Sequence, residues 1–431
     1  SNPAMMFGDP TTAIGGNIVG HNCLSKDTLI QLKDGSIKEI KDMKQENVIS
    51  AKFKDLKLEG ANTQQVFVNP EIKEVYEIAT TNNIRCSKLH RFFTIEDFTI
   101  KEKEARNLKQ GEFIAQAAKI EIQGEEQKLP ITNIKKISKI KKETSEKIKQ
   151  KLKENKKTRK EICKTIGITP RQFRRVLNQE SPTTNTVIMN LKNQLKGMQI
   201  QMIPTYTYKH KNLTIPTIMT PELAQICGYF IGDGNFEQRS IRFRDQRIEV
   251  LQSYKQLIKK VFKTKTNITK MKNKNCYTLN INSKEIKNFL QTIIKEIYPK
   301  ISKSKDEVVK KFIKGFIDAE GHINKKRVRV SVAQKEKKVL KHIQLYLLRF
   351  GIRSYLRYDV GKTKISVLSI RDRSVKEYLQ IGFTAKDKQK RLIQCINHIN
   401  KTYQKEMMPI KRKDLINLLK DAGIKLHSII K

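Results

Sequence analysis

The stretch IKGFIDAEG (residues 313–321) decides the fold, and an earlier stretch, ICGYFIGDG (residues 226–234), repeats its pattern. Each is a mostly apolar helix pattern that ends in a carboxylate followed by glycine, the residue that most often terminates a helix. Asp233 and Glu320 are therefore predicted at helix C-termini. Because that end of a helix carries partial negative charge, each acid is unfavourable there unless a cation lies beside it.

Small residues recur four positions apart in both stretches, Gly228 with Gly232 and Gly315 with Ala319. Residues at this spacing share one helix face, so each helix has a smooth stripe against which another backbone can pack. Packing the two stripes together would bring the two terminal carboxylates to one end of the helix pair. Like charges repel there unless a divalent metal neutralises them. The alternative is a pair of ordinary buried helices with acids at their ends.

The two motifs resemble those of the DOD-type, two-motif LAGLIDADG homing endonucleases. The resemblance implies an α+β fold with a pseudo-two-fold αββαββα core, whose paired helices join the two halves. It further implies that Asp233 and Glu320 are catalytic and hold Mg²⁺, that Lys386 stabilises charge, and that both strands of a long double-stranded DNA site are hydrolysed. The chain would act as a monomer with an internal pseudo-dimer.

A duplication supports a core over residues 216–400, with halves over 216–300 and 301–400. The segment NFLQ (288–291) recurs as EYLQ (377–380), and a repeat this long marks a duplicated domain. Both halves also repeat an order of alternating strands and apolar helices. The predicted strands cover 240–244, 277–282, 327–332 and 364–370, and the predicted helices cover 248–262, 286–297, 339–350 and 375–380.

Basic residues on these strands are candidates for DNA contacts. Arginine on a sheet face can reach both phosphates and base edges, although each one is also compatible with a solvated surface. The candidates are Arg242, Arg244, Arg327 and Arg329.

Composition points to a polyanionic partner. The 431 residues contain 88 Lys+Arg against 43 Asp+Glu, a formal net charge of +45. Such an excess favours nucleic acid first and a membrane surface second. No apolar run is long enough to span a bilayer, and the first residues lack the pattern of a signal peptide. Six scattered cysteines without a C-x-x-C pair predict a reduced, cytoplasmic protein.

Residues 23–128 are predicted to form an all-β domain of short strands and hairpin turns. The start at Cys23 and the segment IRCSKLH (84–90) resemble the N-terminal splicing blocks of inteins, which implies an incomplete Hint-like splicing domain. In that family Cys23 would attack the preceding carbonyl, His90 would act on the scissile amide, and Ser87, in place of a threonine, would help to hold it. A lone cysteine or histidine is otherwise an ordinary core residue.

Two further predictions follow from the intein resemblance and concern the two ends of the chain. Residues 1–22 look like a piece of an archaeal RecA-family recombinase, the host protein. Residues 401–431 are predicted to form a helical tail (413–422) that stops before a C-terminal splicing block. Full splicing would then require a C-terminal intein fragment supplied in trans, whereas the first acyl shift at Cys23 would not.

Residues 129–215 are predicted to form a basic insert. A lysine-rich run, read as a linker or solvated face, leads into two short helices joined at Gly167, the second with Thr169 as N-cap. This pattern is typical of a helix-turn-helix, in which Arg171, Arg174 and Arg175 would contact DNA. A simple basic helical hairpin is the alternative.

Three functions remain open at this point. The first is an intein-encoded, Mg²⁺-dependent DNA endonuclease with an autoprocessing N-terminal domain. The second is an autoprocessing intein remnant whose endonuclease is inactive. The third is a non-catalytic DNA- or RNA-binding protein of the maturase type.

Overall fold

The computed structural model describes residues 23–52, 57–63, 66, 74–96, 99–130, 137–154, 158–181, 183–195, 198–205, 213–272, 274–361, 364–402 and 420–421. They form a mixed helix and sheet protein, as the α+β class predicted. Contacts divide the chain into two units: Ser1–Gln127 with Thr220–Asp233 and Glu296–Lys431, and Lys128–Met219 with Gly234–Lys295. The leader (1–22) and most of the predicted tail helix (413–422) lie outside the described residues. No helix in the described part is long and apolar enough to cross a bilayer.

Residues 23–127 contain antiparallel two-stranded hairpins. The pairs are β1 with β2, β3 with β4, β5 with β6, and β7 with β8. An all-β domain was predicted here, but β4, β6 and β8 were not predicted as strands. The side chains of β4 and β8 are mostly exposed, so these two strands carry little periodic signal. The strands are β1 (Leu29–Gln31), β2 (Ile37–Glu39), β3 (Asn47–Lys52), β4 (Lys57–Asn62), β5 (Tyr76–Ala79), β6 (Asn83–Cys86), β7 (Arg91–Glu96) and β8 (Thr99–Glu104).

The basic insert has a hydrophobic core of its own, which includes Ile148, Ile162, Phe173 and Leu191. The lysine-rich run is partly helical, because Ile148 of α1 is buried in that core. The predicted pair of short helices is observed as α2 and α3. The elements are β9 (Ile137–Ile140), α1 (Lys142–Glu154), α2 (Arg159–Ile166), α3 (Pro170–Leu177), β10 (Thr183–Thr184), α4 (Asn185–Gln194) and β11 (Met202–Thr205), and the strand order is β10-β9-β11.

The first repeat has the order αββαββα. Its strands form one sheet in the order β12-β13-β15-β14, and the apolar side chains of α6 and α7 are buried. The elements are α5 (Pro221–Asp233), β12 (Gly234–Phe236), β13 (Ile241–Asp245), α6 (Ile248–Phe262), β14 (Asn267–Lys270), β15 (Tyr277–Ile281) and α7 (Lys284–Lys295).

The second repeat has the same order and the same topology, β16-β17-β19-β18, which agrees with the predicted duplication. A short helix, α8 (Ile297–Lys303), precedes it, and α12 follows it. The elements are α9 (Asp306–Glu320), β16 (Gly321–Asn324), β17 (Arg329–Gln334), α10 (Lys337–Arg349), β18 (Ser354–Val360), β19 (Ile365–Arg371), α11 (Arg373–Glu377) and α12 (Lys386–Thr402).

Several predicted boundaries were wrong by two or more residues, and two of these differences have a clear physical cause. The helix predicted over 286–297 ends at Lys295, because Pro299 cannot donate to the carbonyl four residues earlier and would clash with it. The strand predicted over 327–332 begins at Arg329 instead. Residues 325–328 form a turn that the side chain of Asn324 closes by accepting the Arg327 N–H at 3.0 Å. Arg327 therefore lies on a turn and not on a strand.

The β5–β6 hairpin is tied to the second repeat, within the same unit. The carbonyl of Thr81, at the hairpin tip, accepts from the Leu356 N–H at 2.7 Å and from Gln344 Nε2 at 3.2 Å. The Tyr358 hydroxyl donates to Asn82 Oδ1 at 2.8 Å. Strand β18 and helix α10 thereby hold this hairpin by its tip.

Candidate functional site

Helices α5 and α9 pack backbone against backbone along the predicted small-residue stripes. A Cβ added to Gly228 would overlap the Phe312 carbonyl oxygen and lie 2.9 Å from the Phe316 nitrogen. A Cβ added to Gly315 would likewise overlap a carbonyl oxygen and lie 2.9 Å from the Tyr229 nitrogen. Only glycine fits these positions, so the helices meet in one register.

This register brings the two acidic helix ends together. Asp233 is the last residue of α5, and Glu320 is the last residue of α9. A Cβ on Gly232 would lie 3.1 Å from Glu320 Cγ. Burial, followed by the negative charge of Asp233, raises the pKa of Glu320 to about 7. The two carboxylates are thus near neighbours, as the packed stripes predicted.

Gly321 ends α9 for a different reason from the predicted one. Its φ is −73°, so it does not adopt the left-handed conformation of a usual helix-terminating glycine. A Cβ there would overlap the carbonyl oxygen of Ile317 and its side chain. The glycine lets the chain pass directly from helix α9 into strand β16, which sets the position of Glu320.

Two side chains near Glu320 were not predicted from the sequence. Gln334 Nε2, at the end of β17, donates to Glu320 Oε1 at 2.7 Å. Lys388 is only 8% exposed, its Nζ donates to the Asp318 carbonyl at 3.1 Å, and its charge opposes the rise in the Glu320 pKa. The predicted Lys386 is exposed at the first position of α12. Lys388 is therefore a buried cation whose charge acts on Glu320.

The acid pair offers oxygen donors that suit a hard divalent cation such as Mg²⁺. Two like charges held together at negative helix ends are the arrangement that such an ion neutralises. Within the described ranges, no group of three or more His, Cys, Asp or Glu side chains could hold a metal. The protein donors would therefore be the two carboxylates, with water and phosphate oxygens as the other ligands.

The three predicted splicing residues lie together at the end of strand β6. The Cys23 N–H, which belongs to the peptide bond after Asn22, donates to Ser87 Oγ at 3.1 Å. The Ser87 N–H donates to the Cys23 carbonyl at 2.9 Å, and the His90 N–H donates to the Ser87 carbonyl at 3.1 Å. Burial raises the pKa of the Cys23 thiol. The thiol is therefore protonated at neutral pH.

The α2–α3 pair presents arginines on an exposed face. Thr169 caps α3 through its hydroxyl, which accepts the Gln172 N–H at 3.2 Å, and Gly167 ends α2 with a φ of 77°. Arg171, Arg174 and Arg175 are all exposed. Arg175 lies 3.7 Å from a carboxylate oxygen of Glu180, in an ion pair at the end of the helix.

The predicted sheet arginines have different surroundings in the two repeats. Arg242 of β13 pairs with Glu237 at 2.7 Å and donates to Asn280 at 3.3 Å, and its neighbour Arg244 is exposed. In the second repeat, Arg329 lies on β17. Its cross-strand neighbour, Arg371 of β19, was missed by the sequence because a single arginine at a strand end carries no signal.

A family model described as a LAGLIDADG-like domain matches residues 220–294 and again residues 307–381. The chain therefore carries two LAGLIDADG-like domains, which agrees with the resemblance drawn from the two motifs.

Several curated proteins are similar to parts or most of the chain. It is 29% identical to the isomerizing glutamine–fructose-6-phosphate aminotransferase of Methanocaldococcus jannaschii over 96% of this chain and 39% of that protein. It is 30% identical to the replication factor C small subunit of the same organism, over 42% of this chain and 10% of that protein. It is 33% identical to a probable translation initiation factor of Thermococcus kodakarensis, over 24% of this chain and 8% of that protein. The chain thus spans less than half the length of each relative.

Similar solved structures include the homing endonuclease I-DmoI in complex with DNA and Mn. It is 20% identical with a TM-score of 0.30, and the match covers 36% of this chain and 93% of that chain. Full-length DUF199/WhiA from Thermatoga maritima is 14% identical with a TM-score of 0.33, and the match covers 47% of this chain and 66% of that chain.

Proposed function

We propose that this chain is a site-specific DNA endonuclease that hydrolyses both strands of its target and requires a divalent metal, with Mg²⁺ as the first candidate. The observation that carries the proposal is the acid pair. Asp233 and Glu320 come from distant parts of the sequence, and a glycine seam holds them together at the ends of α5 and α9. A strongly basic chain with two LAGLIDADG-like domains supports DNA as the substrate.

Each residue has a role that follows from its contacts. Asp233 and Glu320 would hold the ion, which when bound supplies Lewis-acid neutralisation of charge on the scissile phosphate. Gln334 fixes one carboxylate oxygen of Glu320 through its 2.7 Å hydrogen bond. Lys388, buried against the Asp318 carbonyl, places a positive charge beside Glu320 and stabilises negative charge that develops there. The sheet arginines would contact the DNA.

A cleavage assay with the uninterrupted host gene tests the proposal, and a recombinase gene is the first substrate to try. We expect the wild-type chain to linearise a plasmid that carries this gene in Mg²⁺, and Asp233→Asn and Glu320→Gln to bind it without cutting. Glu307→Gln, at the other end of α9, is the matched control and should cut normally. Cleavage by both acid-pair variants at the wild-type rate would contradict the proposal.

We also propose that the chain is an intein whose N-terminal domain processes itself at Cys23. Similar segments occur within proteins whose names share no function, an aminotransferase, a replication factor and a translation initiation factor. This distribution is expected of a mobile insert. The Ser87 hydroxyl accepts the N–H of the scissile peptide bond at 3.1 Å, which fixes the orientation of that bond beside Cys23.

The processing step is an N-to-S acyl shift. The Cys23 sulfur would attack the Asn22 carbonyl carbon, the C–N bond would break, and the thiol proton would pass to the released amine. We expect a small thiol reagent to release residues 1–22 from the wild-type chain but not from Cys23→Ala. Cys276→Ala, another half-buried free cysteine, is the control. Release from Cys23→Ala at the wild-type rate, measured by mass spectrometry, would contradict the proposal.

A non-catalytic nucleic-acid-binding role of the maturase type is the second candidate. The α2–α3 pair favours it, because exposed arginines on a capped helix suit a nucleic-acid contact without any chemistry. An inactive endonuclease in an autoprocessing remnant is the related possibility. Both predict tight DNA binding with no cleavage by the wild-type chain in Mg²⁺.

A further inference from the structure

The outer face of the second repeat's sheet carries a cluster of arginines. Leu368 and Ile370 of β19 are buried on the core side, so the alternating Ser369 and Arg371 belong to the opposite face. The strand register pairs Arg371 with Arg329 of β17. Two cations thus stand directly opposite each other across neighbouring strands, an arrangement that is unfavourable unless something else satisfies it.

Neither arginine is neutralised by an acidic side chain among the residues that the structure describes. In the described part of the chain neither Arg329 nor Arg371 forms an ion pair, and the Nε atom of each is buried without a hydrogen-bond partner. Burial, followed by the charges of Arg371, Arg327 and Arg357, lowers the pKa of Arg329. The first repeat provides the contrast, since Glu237 neutralises Arg242 there at 2.7 Å.

The surroundings suit a planar ligand. The guanidinium carbon of Arg371 lies 5.0 Å from the centre of the Tyr355 ring, so the aromatic ring restrains this side chain. The next cross-strand pair on the same face is Ser331 with Ser369, two small residues that carry no charge to neutralise the arginines. A restrained, planar fork of N–H donors matches a flat edge with two adjacent acceptors better than a single phosphate oxygen.

We propose that Arg329 and Arg371 read guanine in the major groove, so that the target's half-site on the second repeat contains at least one G·C pair at their position. Each fork would donate two N–H groups to guanine O6 and N7. The inference rests on the proposed DNA-binding function and adds which bases are read, and by which repeat.

Selection from a randomised duplex library tests the inference. The full-length chain is incubated with the library without Mg²⁺, so that binding is measured without cleavage, and bound duplexes are sequenced. The variants are Arg329→Lys and Arg371→Lys, which keep the positive charge but lose the planar fork. Arg353→Lys, an exposed arginine just before β18, is the control. Thermal unfolding of each variant confirms that it is folded.

We expect the wild type to enrich a site with G·C at positions where each wrong base costs roughly 5- to 150-fold in affinity. Either lysine variant in the cluster should lose most of the preference at one such position and keep the rest of the site. Unchanged base preferences in both lysine variants would overturn the inference and leave phosphate contact as the role of these arginines. If the wild type selects a defined site that lacks G·C in the half bound by the second repeat, the guanine inference is wrong but the proposed DNA-binding function stands. If the wild type selects no defined site, sequence-specific DNA binding is also wrong.

Discussion

Asp233 and Glu320 are costly residues where they lie. Each ends a helix whose C-terminus is already negative, and burial together with the charge of Asp233 raises the pKa of Glu320 to about 7. Among the described residues, two groups oppose this rise in the pKa: Lys388 through its charge, and Gln334 through its hydrogen bond. Such a pair is explained by a function that needs negative charge, which is why the divalent-metal site is the central proposal.

A second buried titratable residue, His342, predicts how stability changes with pH. Its ring stacks on Tyr298 at a centroid distance of 4.3 Å, and its Nδ1 lies 2.8 Å from the Lys338 carbonyl. Burial lowers the pKa of His342 to about 4, against an ordinary value of 6.5. The folded state therefore favours neutral histidine. This stabilisation is complete above pH 6.5 and is lost as the pH falls towards 4.

We expect acidification from pH 7 to pH 5 to reduce the free energy of unfolding by about 2 kcal/mol through His342. His342→Phe keeps an aromatic ring on Tyr298 and removes the titration, so its urea midpoint should change less over this range. His398→Gln, an exposed histidine on α12, is the control and should behave as the wild type does. An equal pH response of wild type and His342→Phe would show that another group is responsible.

The packing of α5 on α9 is the element on which the site depends. The helices approach closely because Gly228 and Gly315 face backbone atoms of the opposite helix. Bulky neighbours complete the interface, since Tyr229, Phe312 and Phe316 are fully buried. The glycines therefore fix the separation and register of the helices, and the register fixes the two acids.

One methyl group should disturb this seam. Gly228→Ala places a Cβ against the Phe312 carbonyl, which cannot move without the helix, so we expect a loss of about 1–3 kcal/mol in stability. Gly232→Ala is the matched variant, because its Cβ would meet the Ala319 side chain at 2.6 Å and the helix end can adjust more easily. Chemical denaturation should show a larger loss in the free energy of unfolding for Gly228→Ala than for Gly232→Ala. Equal stability of Gly228→Ala and wild type would mean that the helices are not this close.

Helix α3 should contribute phosphate contacts if it touches DNA. We expect the double variant Arg171→Ala, Arg174→Ala to weaken binding to all duplexes and to reduce the slope of log K against log salt by about 2. Lys164→Ala removes an exposed charge from α2 and should change the slope less. An unchanged slope in the double variant, measured by fluorescence anisotropy, would show that α3 does not contact DNA.

The sequence predicted the elements whose signals are local or periodic. Helix α6 was predicted with its observed bounds because its apolar spacing is regular, and α3 because Thr169 and Pro170 mark its start. Strand β18 was missed because its last residues are exposed, and β16 because it follows α9 without a loop. Gln334 and Lys388 could not be found from the sequence, since only the fold brings them to Glu320.

At the scale of the whole molecule, charge and connectivity both bear on function. The net charge of +45 favours a polyanion, and the uncompensated arginines of the second repeat show where part of it is concentrated. The β5–β6 hairpin is tied to that repeat by hydrogen bonds from Leu356, Gln344 and Tyr358. The hairpin held in this way is the one that ends beside Ser87.

Manganese binding to the full-length chain, followed by electron paramagnetic resonance, tests the metal site most directly. Mn²⁺ replaces Mg²⁺ at oxygen-donor sites and reports occupancy without any need for cleavage. We expect Asp233→Asn and Glu320→Gln each to weaken the tightest Mn²⁺ site at least about tenfold, since each removes one of two carboxylate ligands. Glu307→Gln should leave it unchanged. Wild-type Mn²⁺ affinity in both acid-pair variants would contradict a shared metal site at the ends of α5 and α9.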